Sequence, residues 1–263
     1  MKILITSGGT TEAIDDVRKI TNMSTGTLGS LIAQEFAAHV EVDKVIYVCA
    51  QGALVPSASC VDIIRVTSVE DLQDTLTKVM TDEKIDAVIH AMAVSDYTPS
   101  NLTTAEDMAA AIAKDLLEQD RLKAVDINSL ADAILESIIK SDSGMKSRGK
   151  VSSNFDHLIL SMKKTPKIIS FIKQLQPSTV LVGFKLLDGV PEQELLRVGY
   201  ELLEKNHCDF VLANDLQKIQ KSNHVGLLLK PDQSYDTLNT KEEIAQAIVQ
   251  NVILKIRAGE HHA

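Results

Sequence analysis

The sequence has few of the residues that cross-link, metallate or anchor a protein. Its three cysteines, Cys49, Cys60 and Cys208, are odd in number and show no C-x-x-C spacing, so neither a disulfide framework nor a zinc site is indicated. No segment approaches the roughly 18 consecutive apolar residues of a membrane span. We therefore expect a cytoplasmic protein with no membrane contact and no residues dedicated to a metal.

Positive charge is also scarce, because the formal net charge is -9. Sequence-independent binding of DNA or RNA relies on Lys and Arg that neutralise phosphates, so no nucleic-acid partner is expected. The exception is the segment 144–173, which holds seven Lys and Arg residues against Asp156 alone. Such a local basic cluster on an acidic chain indicates a small polyanion as ligand, although a solvated charged loop would look the same.

The apolar residues, 44% of 263 positions, are sufficient for a core without staples. The run Ile3 to Ile5 predicts a buried strand that ends in a glycine loop, and residues 27–40 predict an amphipathic helix. Short buried strands and helices alternate further along, with strands predicted at 45–49, 61–66 and 86–91. This alternation predicts a doubly wound, mostly parallel, Rossmann-like α/β fold with ligands at the carboxyl ends of the strands.

The pattern changes between residues 101 and 149, where helices but no strands are predicted. We interpret this stretch as a helical insertion or lid within a single domain spanning 1–263. Strand signals resume afterwards at 157–162, 179–185, 209–213 and 225–230, with helices near 167–175, 191–206 and 240–257.

The loop Ser7-Gly8-Gly9-Thr10 could cradle an anion beside a helix N-terminus. It matches neither G-x-x-x-x-G-K-[ST] nor G-x-G-x-x-G, and two glycines after a strand are more often only a turn. A Rossmann oxidoreductase would need an acid or an Arg at the end of the second strand, and the sequence there is Cys49-Ala50-Gln51-Gly52. An NAD(P)-dependent reductase is therefore disfavoured.

A longer motif carries a resemblance. The segment Ser7-Gly8-Gly9-Thr10-Thr11-Glu12, followed by Asp16 to Gly26, resembles the opening signature of phosphopantothenate–cysteine ligases. The resemblance continues in the family's order over nearly the whole chain, most weakly at 101–149, through Ala91-Met92-Ala93-Val94-Ser95-Asp96-Tyr97, Lys150-Val151-Ser152-Ser153, Lys163-Lys164-Thr165-Pro166, Val182-Gly183-Phe184 and Ala213-Asn214-Asp215.

The resemblance implies a ligase of coenzyme A biosynthesis, in the stand-alone form without a decarboxylase domain. Such an enzyme activates 4′-phosphopantothenate with CTP or ATP to an acyl-nucleotide and condenses it with L-cysteine. Pyrophosphate and a nucleoside monophosphate are released, and no protein nucleophile is required. The resemblance also implies Mg²⁺ on the triphosphate and a homodimer.

Site residues follow from the same resemblance. The implied catalytic residues are Asn22, which holds the acyl-nucleotide or its oxyanion, Arg18, which braces that loop or a carboxylate, and Lys150, which neutralises the triphosphate. The implied nucleotide-binding residues are Gly8, Gly9, Thr10, Ala91, Met92, Asp96, Lys163, Lys164, Thr165, Pro166, Phe184 and Lys205. For Lys205, complementarity to the helix dipole is an equally ordinary explanation.

The chain departs from the family pattern at two positions, because Glu201 stands where many bacterial members have Lys and Leu187 where an acid is usual. Phe184-Lys185-Leu186 and the Lys150 segment resemble eukaryotic members, which favour ATP, whereas bacterial members generally favour CTP. We expect CTP, because the fused decarboxylase of many bacterial members is absent and stand-alone bacterial ligases of this kind exist. The remaining alternative from another class is a nucleotide-binding module without enzymatic activity.

Overall fold

The computed structural model describes residues 1–118, 126–142, 156–219 and 224–260. Contacts between Cα atoms divide the chain into two compact units. The first unit comprises Met1–Thr11, Thr21–Val94 and Lys167–Ala263, and the second comprises Glu12–Ile20 and Ser95–Pro166. None of the described helices is long and apolar enough to cross a membrane.

The first unit is built on an eight-stranded sheet in the order β12-β11-β10-β9-β6-β1-β4-β5. Six neighbouring strands from β10 to β5 are parallel, and β11 and β12 continue the sheet antiparallel. The strands are β1 (Lys2–Ser7), β4 (Lys44–Ala50), β5 (Val61–Val66), β6 (Ala87–His90), β9 (Val180–Leu187), β10 (Phe210–Ile219), β11 (His224–Leu229) and β12 (Tyr235–Leu238). The predicted Rossmann-like, mostly parallel α/β fold is confirmed.

Helices cover both faces of this sheet, because the parallel strands alternate apolar residues toward two separate cores. One core includes Ile3, Ile5 and Ile89 and the helices α1 and α7. The other includes Leu4 and Val88 and the helices α2, α5 and α6. The helices of this unit are α1 (Thr27–Ala37), α2 (Val69–Asp82), α5 (Ile168–Leu175), α6 (Glu192–Lys205) and α7 (Lys241–Glu260).

Side-chain hydrogen bonds fix the start of helix α2. The side chain of Ser68 accepts the backbone N–H of Asp71, and the Asp71 carboxylate accepts the N–H of Thr67. Ser68 is therefore the N-cap of α2, because its hydroxyl oxygen satisfies a backbone N–H of the first turn.

The second unit contains an antiparallel ribbon and two helices. The ribbon pairs β7 (Tyr97–Thr104) with β8 (Leu158–Lys164), and the helices are α3 (Ala105–Glu118) and α4 (Ile127–Asp142). The two helices were predicted, whereas β7 was not. The predicted strand at 157–162 exists, but it pairs with β7 rather than with the large sheet. Two three-residue strands, β2 (Thr11–Ala13) and β3 (Lys19–Thr21), form a further pair.

Candidate active site

The turn after β1 is shaped by two glycines that no other residue could replace without movement. Gly8 has a φ of 86°, and a Cβ at this position would lie 2.8 Å from the Cβ atoms of both Ala50 and Ala53. A Cβ at Gly9 would lie 1.9 Å from the carbonyl oxygen of Asn22. The glycines of the motif thus allow main chain to pack on main chain.

Asn22 is held beside this turn by backbone contacts. Its N–H donates to the carbonyl oxygen of Thr10 over 3.1 Å, and the Thr21 hydroxyl donates to the same oxygen over 3.3 Å. The side chain of Asn22 is half-buried. The structure therefore brings together Gly8, Gly9, Thr10 and Asn22, four of the residues predicted to serve the site.

The segment after β6 closes the other side of the turn. Ala93 N–H donates to the carbonyl oxygen of Gly8 over 2.8 Å, and Thr10 N–H donates to the carbonyl oxygen of Ala93 over 3.1 Å. Ala91 and Met92 directly precede this bridge, and Met92 is 6% exposed. The predicted residues Ala91 and Met92 thus lie beside Gly8 at the carboxyl edge of the sheet.

Two buried polar side chains lie beneath this edge, and neither was predicted from the sequence. The Thr6 hydroxyl and the Nδ1 atom of His90 are 2.8 Å apart. Burial lowers the pKa of His90 to about 4, because the charged form loses its hydration. His90 is therefore neutral near pH 7. The sequence did carry a signal for this pair, because Thr6 and His90 are polar residues near the ends of two otherwise apolar strands.

The N-terminus of α1 packs directly against β1. Gly26 has a φ of 71° and precedes the helix, and the Ser7 hydroxyl donates to its carbonyl oxygen over 3.2 Å. A Cβ at Gly29 would lie 2.3 Å from the Ser7 Oγ atom. The second glycine pair therefore serves close packing between the helix and the sheet.

The loop after β4 is fixed by Arg65, whose guanidinium donates to the carbonyl oxygens of Ala50 and Ala53 over 2.6 and 3.1 Å. This loop lies against Gly8. A dinucleotide-binding Rossmann enzyme keeps the first glycine turn open to the pyrophosphate and places a ribose-binding residue after the second strand. The residues that follow β4 here, Gln51 and Gly52, supply neither an acid nor an Arg for that role, so the reductase stays disfavoured.

Phe184 and Lys205 lie at opposite edges of the sheet. β6 pairs with β9 through Ile89 and Val182, so Phe184 lies level with Ala91 at the carboxyl edge. Lys205 is the exposed last residue of α6. Because α6 joins the parallel strands β9 and β10, it ends at the opposite, amino-terminal edge of the sheet. Within this chain Lys205 is not brought to the other nucleotide-binding candidates.

Arg18 lies in the second unit, where it closes a tight turn with Asp15. Its Nε and Nη2 atoms donate to one carboxylate oxygen over 3.0 and 2.6 Å, and the other oxygen accepts the N–H groups of Val17 and Arg18. The Asp15 side chain is fully buried and that of Arg18 is 43% exposed. Arg18 is therefore tied to Asp15 within the signature loop, and its role in the site stays a prediction.

Five further predicted residues lie at one end of the β7–β8 ribbon. The N–H of Thr165 donates to the carbonyl oxygen of Asp96 over 3.0 Å, and its hydroxyl donates to that of Ser95 over 2.5 Å. Lys163 and Lys164 precede Thr165 on β8, and both are exposed, as are Asp96 and Pro166. Lys150 lies outside the described residues.

A second anchored acid in this unit was not predicted as a site residue. Glu12, which is 5% exposed, accepts the hydroxyl of Thr98 over 2.7 Å. The signature segment therefore buries two acids, Glu12 and Asp15, each tied to a partner by hydrogen bonds. Burial of an acid cannot be deduced from its local sequence, since its partner Thr98 is remote along the chain.

Comparison with known proteins assigns the chain to a protein family. The family model described as DNA/pantothenate metabolism flavoprotein C-terminal domain matches residues 1–106 and 100–255. The coenzyme A biosynthesis bifunctional proteins CoaBC of Thermococcus kodakarensis and Methanocaldococcus jannaschii are 29% and 26% identical over 248 and 254 residues, which cover 94% and 95% of this chain. The alignments cover 49% and 50% of those proteins, so the chain spans about half their length.

A solved structure supports the same family assignment. The crystal structure of the DNA/pantothenate metabolism flavoprotein from Streptococcus pneumoniae superimposes with a TM-score of 0.78 at 33% identity, covering 97% of this chain and 99% of that one. Similarity in sequence and in fold therefore extends over nearly the whole chain. The chain belongs to the DNA/pantothenate metabolism flavoprotein C-terminal domain family.

Proposed function

We propose that the protein is a phosphopantothenate–cysteine ligase. The observation that carries the proposal is the contact of Gly9 with the Asn22 carbonyl group, which folds the signature segment into a rigid turn at the carboxyl edge of the sheet. Parallel α/β sheets bind ligands at this edge. Membership of a family named for pantothenate metabolism supports the same conclusion.

The proposed reaction has two steps. A carboxylate oxygen of 4′-phosphopantothenate attacks the α-phosphorus of the nucleoside triphosphate, and the bond to pyrophosphate breaks. The amine of L-cysteine then attacks the acyl carbon of the acyl-nucleotide and loses a proton. The bond from this carbon to the phosphate oxygen breaks and releases the nucleoside monophosphate. The product is 4′-phosphopantothenoylcysteine.

No protein nucleophile takes part in this scheme, and two of the three cysteines of the chain fit that requirement. Cys49 and Cys208 are buried, and burial raises the pKa of Cys49 and raises that of Cys208 to about 12. A thiol must ionise to attack. Catalysis then consists of holding the reactants in line and stabilising the charge that develops.

Asn22 is the proposed catalytic donor. Its main chain is fixed by Thr10, so the half-buried side-chain amide stands on a rigid support and can donate to the developing oxyanion. Arg18 supports this loop through Asp15, and Lys150 is proposed to neutralise the triphosphate. In the first unit the proposed nucleotide contacts are the main chain of Gly8, Gly9, Thr10, Ala91 and Met92 and the side chain of Phe184. In the second unit they are the side chains of Asp96, Lys163, Lys164 and Thr165, with Pro166 shaping the same segment.

Mg²⁺ belongs to the proposal through the triphosphate, whose charge it would partly neutralise. Among residues 1–118, 126–142, 156–219 and 224–260, no group of three His, Cys, Asp or Glu side chains is arranged to hold a metal ion. We therefore assign no residue to Mg²⁺ and derive no step through it. CTP as preferred nucleotide, a homodimer and a cytoplasmic location complete the proposal.

The test is pyrophosphate release by the purified protein with Mg²⁺, 4′-phosphopantothenate, L-cysteine and either CTP or ATP. The proposal expects release that depends on phosphopantothenate and is faster with CTP. Release with ATP alone would keep the ligase and overturn the nucleotide preference. Binding of a triphosphate without release with either nucleotide would favour a nonenzymatic binding module.

A further inference from the structure

Two polar side chains are buried where β1 and β6 end. Thr6 and His90 are register partners on these adjacent strands, and their exposed fractions are 0% and 7%. Their neighbours on the same strands, Leu4 and Val88, belong to the apolar core. Polar groups in such surroundings are costly unless they are hydrogen-bonded, so the bond between Thr6 and His90 fixes both side chains.

The hydrogen bonds of the Thr6 hydroxyl define the proton position on His90. The hydroxyl oxygen lies 3.4 Å from the backbone N–H of Met92, which can only donate to it. Because this oxygen accepts from Met92, we infer that its proton points at the Nδ1 atom of His90, 2.8 Å away, which accepts it. Nδ1 is then unprotonated, and the neutral imidazole carries its proton on Nε2.

This bond is connected to the main chain of the candidate site. Thr6 accepts the N–H of Ala91 with its carbonyl oxygen over 3.1 Å and the N–H of Met92 with its hydroxyl. The next residue, Ala93, is bonded to the glycine turn through Gly8. Rotation of the Thr6 side chain would release Met92, and His90 prevents that rotation by accepting the hydroxyl proton.

We propose that His90 is a positioning residue of the ligase reaction: it orients the Thr6 hydroxyl, which fixes the main chain of Met92, next to Ala91, for nucleotide binding. The inference rests on the proposed function for its catalytic consequence, whereas the orientation of Thr6 does not depend on any activity. The imidazole acts through Thr6 and is not assigned a contact with substrate.

Three variants separate this role from its alternatives. His90→Asn keeps an acceptor near the position of Nδ1, His90→Gln keeps a polar atom near the position of Nε2, and His90→Leu keeps neither. Each is purified, checked for an unchanged melting temperature, and assayed for pyrophosphate release over a range of nucleotide concentrations. Thr6→Val provides the matched change at the other end of the hydrogen bond.

We expect His90→Asn to stay within about threefold of wild type, and His90→Gln, His90→Leu and Thr6→Val to lose about tenfold in kcat/KM, chiefly as a higher KM for the nucleotide. The double variant Thr6→Val/His90→Leu is expected to lose no more than the single ones, because both remove one interaction. Activity retained by His90→Gln but not by His90→Asn would overturn the proposal in favour of direct contact through Nε2. Full activity of His90→Leu would overturn it in favour of packing alone.

A measurement on the wild-type protein decides the structural part without any catalytic assay. Nitrogen-15 NMR of the histidine rings distinguishes an unprotonated Nδ1 from an unprotonated Nε2. We expect the unprotonated Nδ1 form, together with slow amide exchange at Met92 that becomes faster in His90→Leu. The opposite tautomer, or unchanged exchange, would overturn the proposal even if the protein proved not to be a ligase. An inactive wild type with the expected spectrum would instead contradict the proposed function alone.

Discussion

Gly9 lies against the carbonyl group of Asn22 so closely that a Cβ would come within 1.9 Å of the oxygen. The two residues are separated by a loop that contains Arg18, yet their main chains touch. This contact explains why the signature carries both residues, since the glycine makes room for the main chain of the asparagine.

Replacing Gly9 by Ala should displace the main chain of Asn22. Because backbone atoms and not a flexible side chain occupy the space, the change is expected to cost about 1–3 kcal/mol in the free energy of unfolding. It should also lower pyrophosphate release about 100-fold through misplacement of Asn22. Gly52→Ala is the matched control, because a Cβ there meets nothing within 4 Å, and equal losses in both variants would contradict the account.

Asn22→Ala removes the proposed donor and leaves the main-chain contact intact. We expect kcat to fall about 100- to 1,000-fold, the usual cost of an oxyanion-binding side chain, with little change in the melting temperature. Asn128→Ala, at an exposed position of α4, should leave both quantities unchanged. An Asn22→Ala protein with normal kcat would remove Asn22 from the mechanism.

Arg18 and Asp15 give a prediction about stability. Arg18→Ala removes two charge-assisted hydrogen bonds from a buried carboxylate, and we expect a loss of about 1–3 kcal/mol in the free energy of unfolding measured with urea. Arg197 also binds two acids, Glu194 and Glu201, but all three side chains are exposed on α6. Arg197→Ala should cost about 0.5 kcal/mol or less, and the reverse order would contradict our description of the loop.

His90 predicts a pH dependence of stability. Its folded pKa of about 4 lies below the ordinary value of 6.5, so the unfolded chain binds a proton that the folded chain rejects. The stability is complete above pH 6.5 and is lost as the pH falls toward 4. Between pH 8 and pH 5 wild type should lose about 2 kcal/mol more than His90→Asn.

Urea unfolding at the two pH values measures this difference. The pKa of His224 is also lowered by burial. This residue is present in both proteins, so its contribution to the pH dependence of stability cancels in the comparison. An equal loss in wild type and His90→Asn would show that His90 is accessible to protons in the folded state.

Sequence patterns predicted the sheet because its strands are short apolar runs such as Val45 to Cys49, flanked by amphipathic helices. They failed at β7, since Tyr97–Thr104 is a polar run with Pro99 inside it and has no alternation of apolar residues. This strand exists because β8 pairs with it, and pairing between distant segments leaves no local signal.

The candidate site was predictable to a similar degree. The glycine turn, Asn22 and Met92 were expected from a long motif, and the structure brings them together. The bond between Thr6 and His90 joins residues 84 positions apart and depends on the register of β1 against β6, which hydrophobic patterns do not specify. Lys205 matched a motif position, but the direction of α6 takes it to the other edge of the sheet.

The most direct test of the ligase mechanism follows an oxygen atom. 4′-Phosphopantothenate labelled with oxygen-18 in its carboxylate is incubated with the protein, Mg²⁺, CTP and L-cysteine, and the nucleoside monophosphate is analysed by mass spectrometry. Because the carboxylate oxygen that attacks the α-phosphorus stays on it when the amide forms, the account predicts one oxygen-18 atom in the monophosphate. Unlabelled monophosphate, or a nucleoside diphosphate as product, would contradict activation through an acyl-nucleotide.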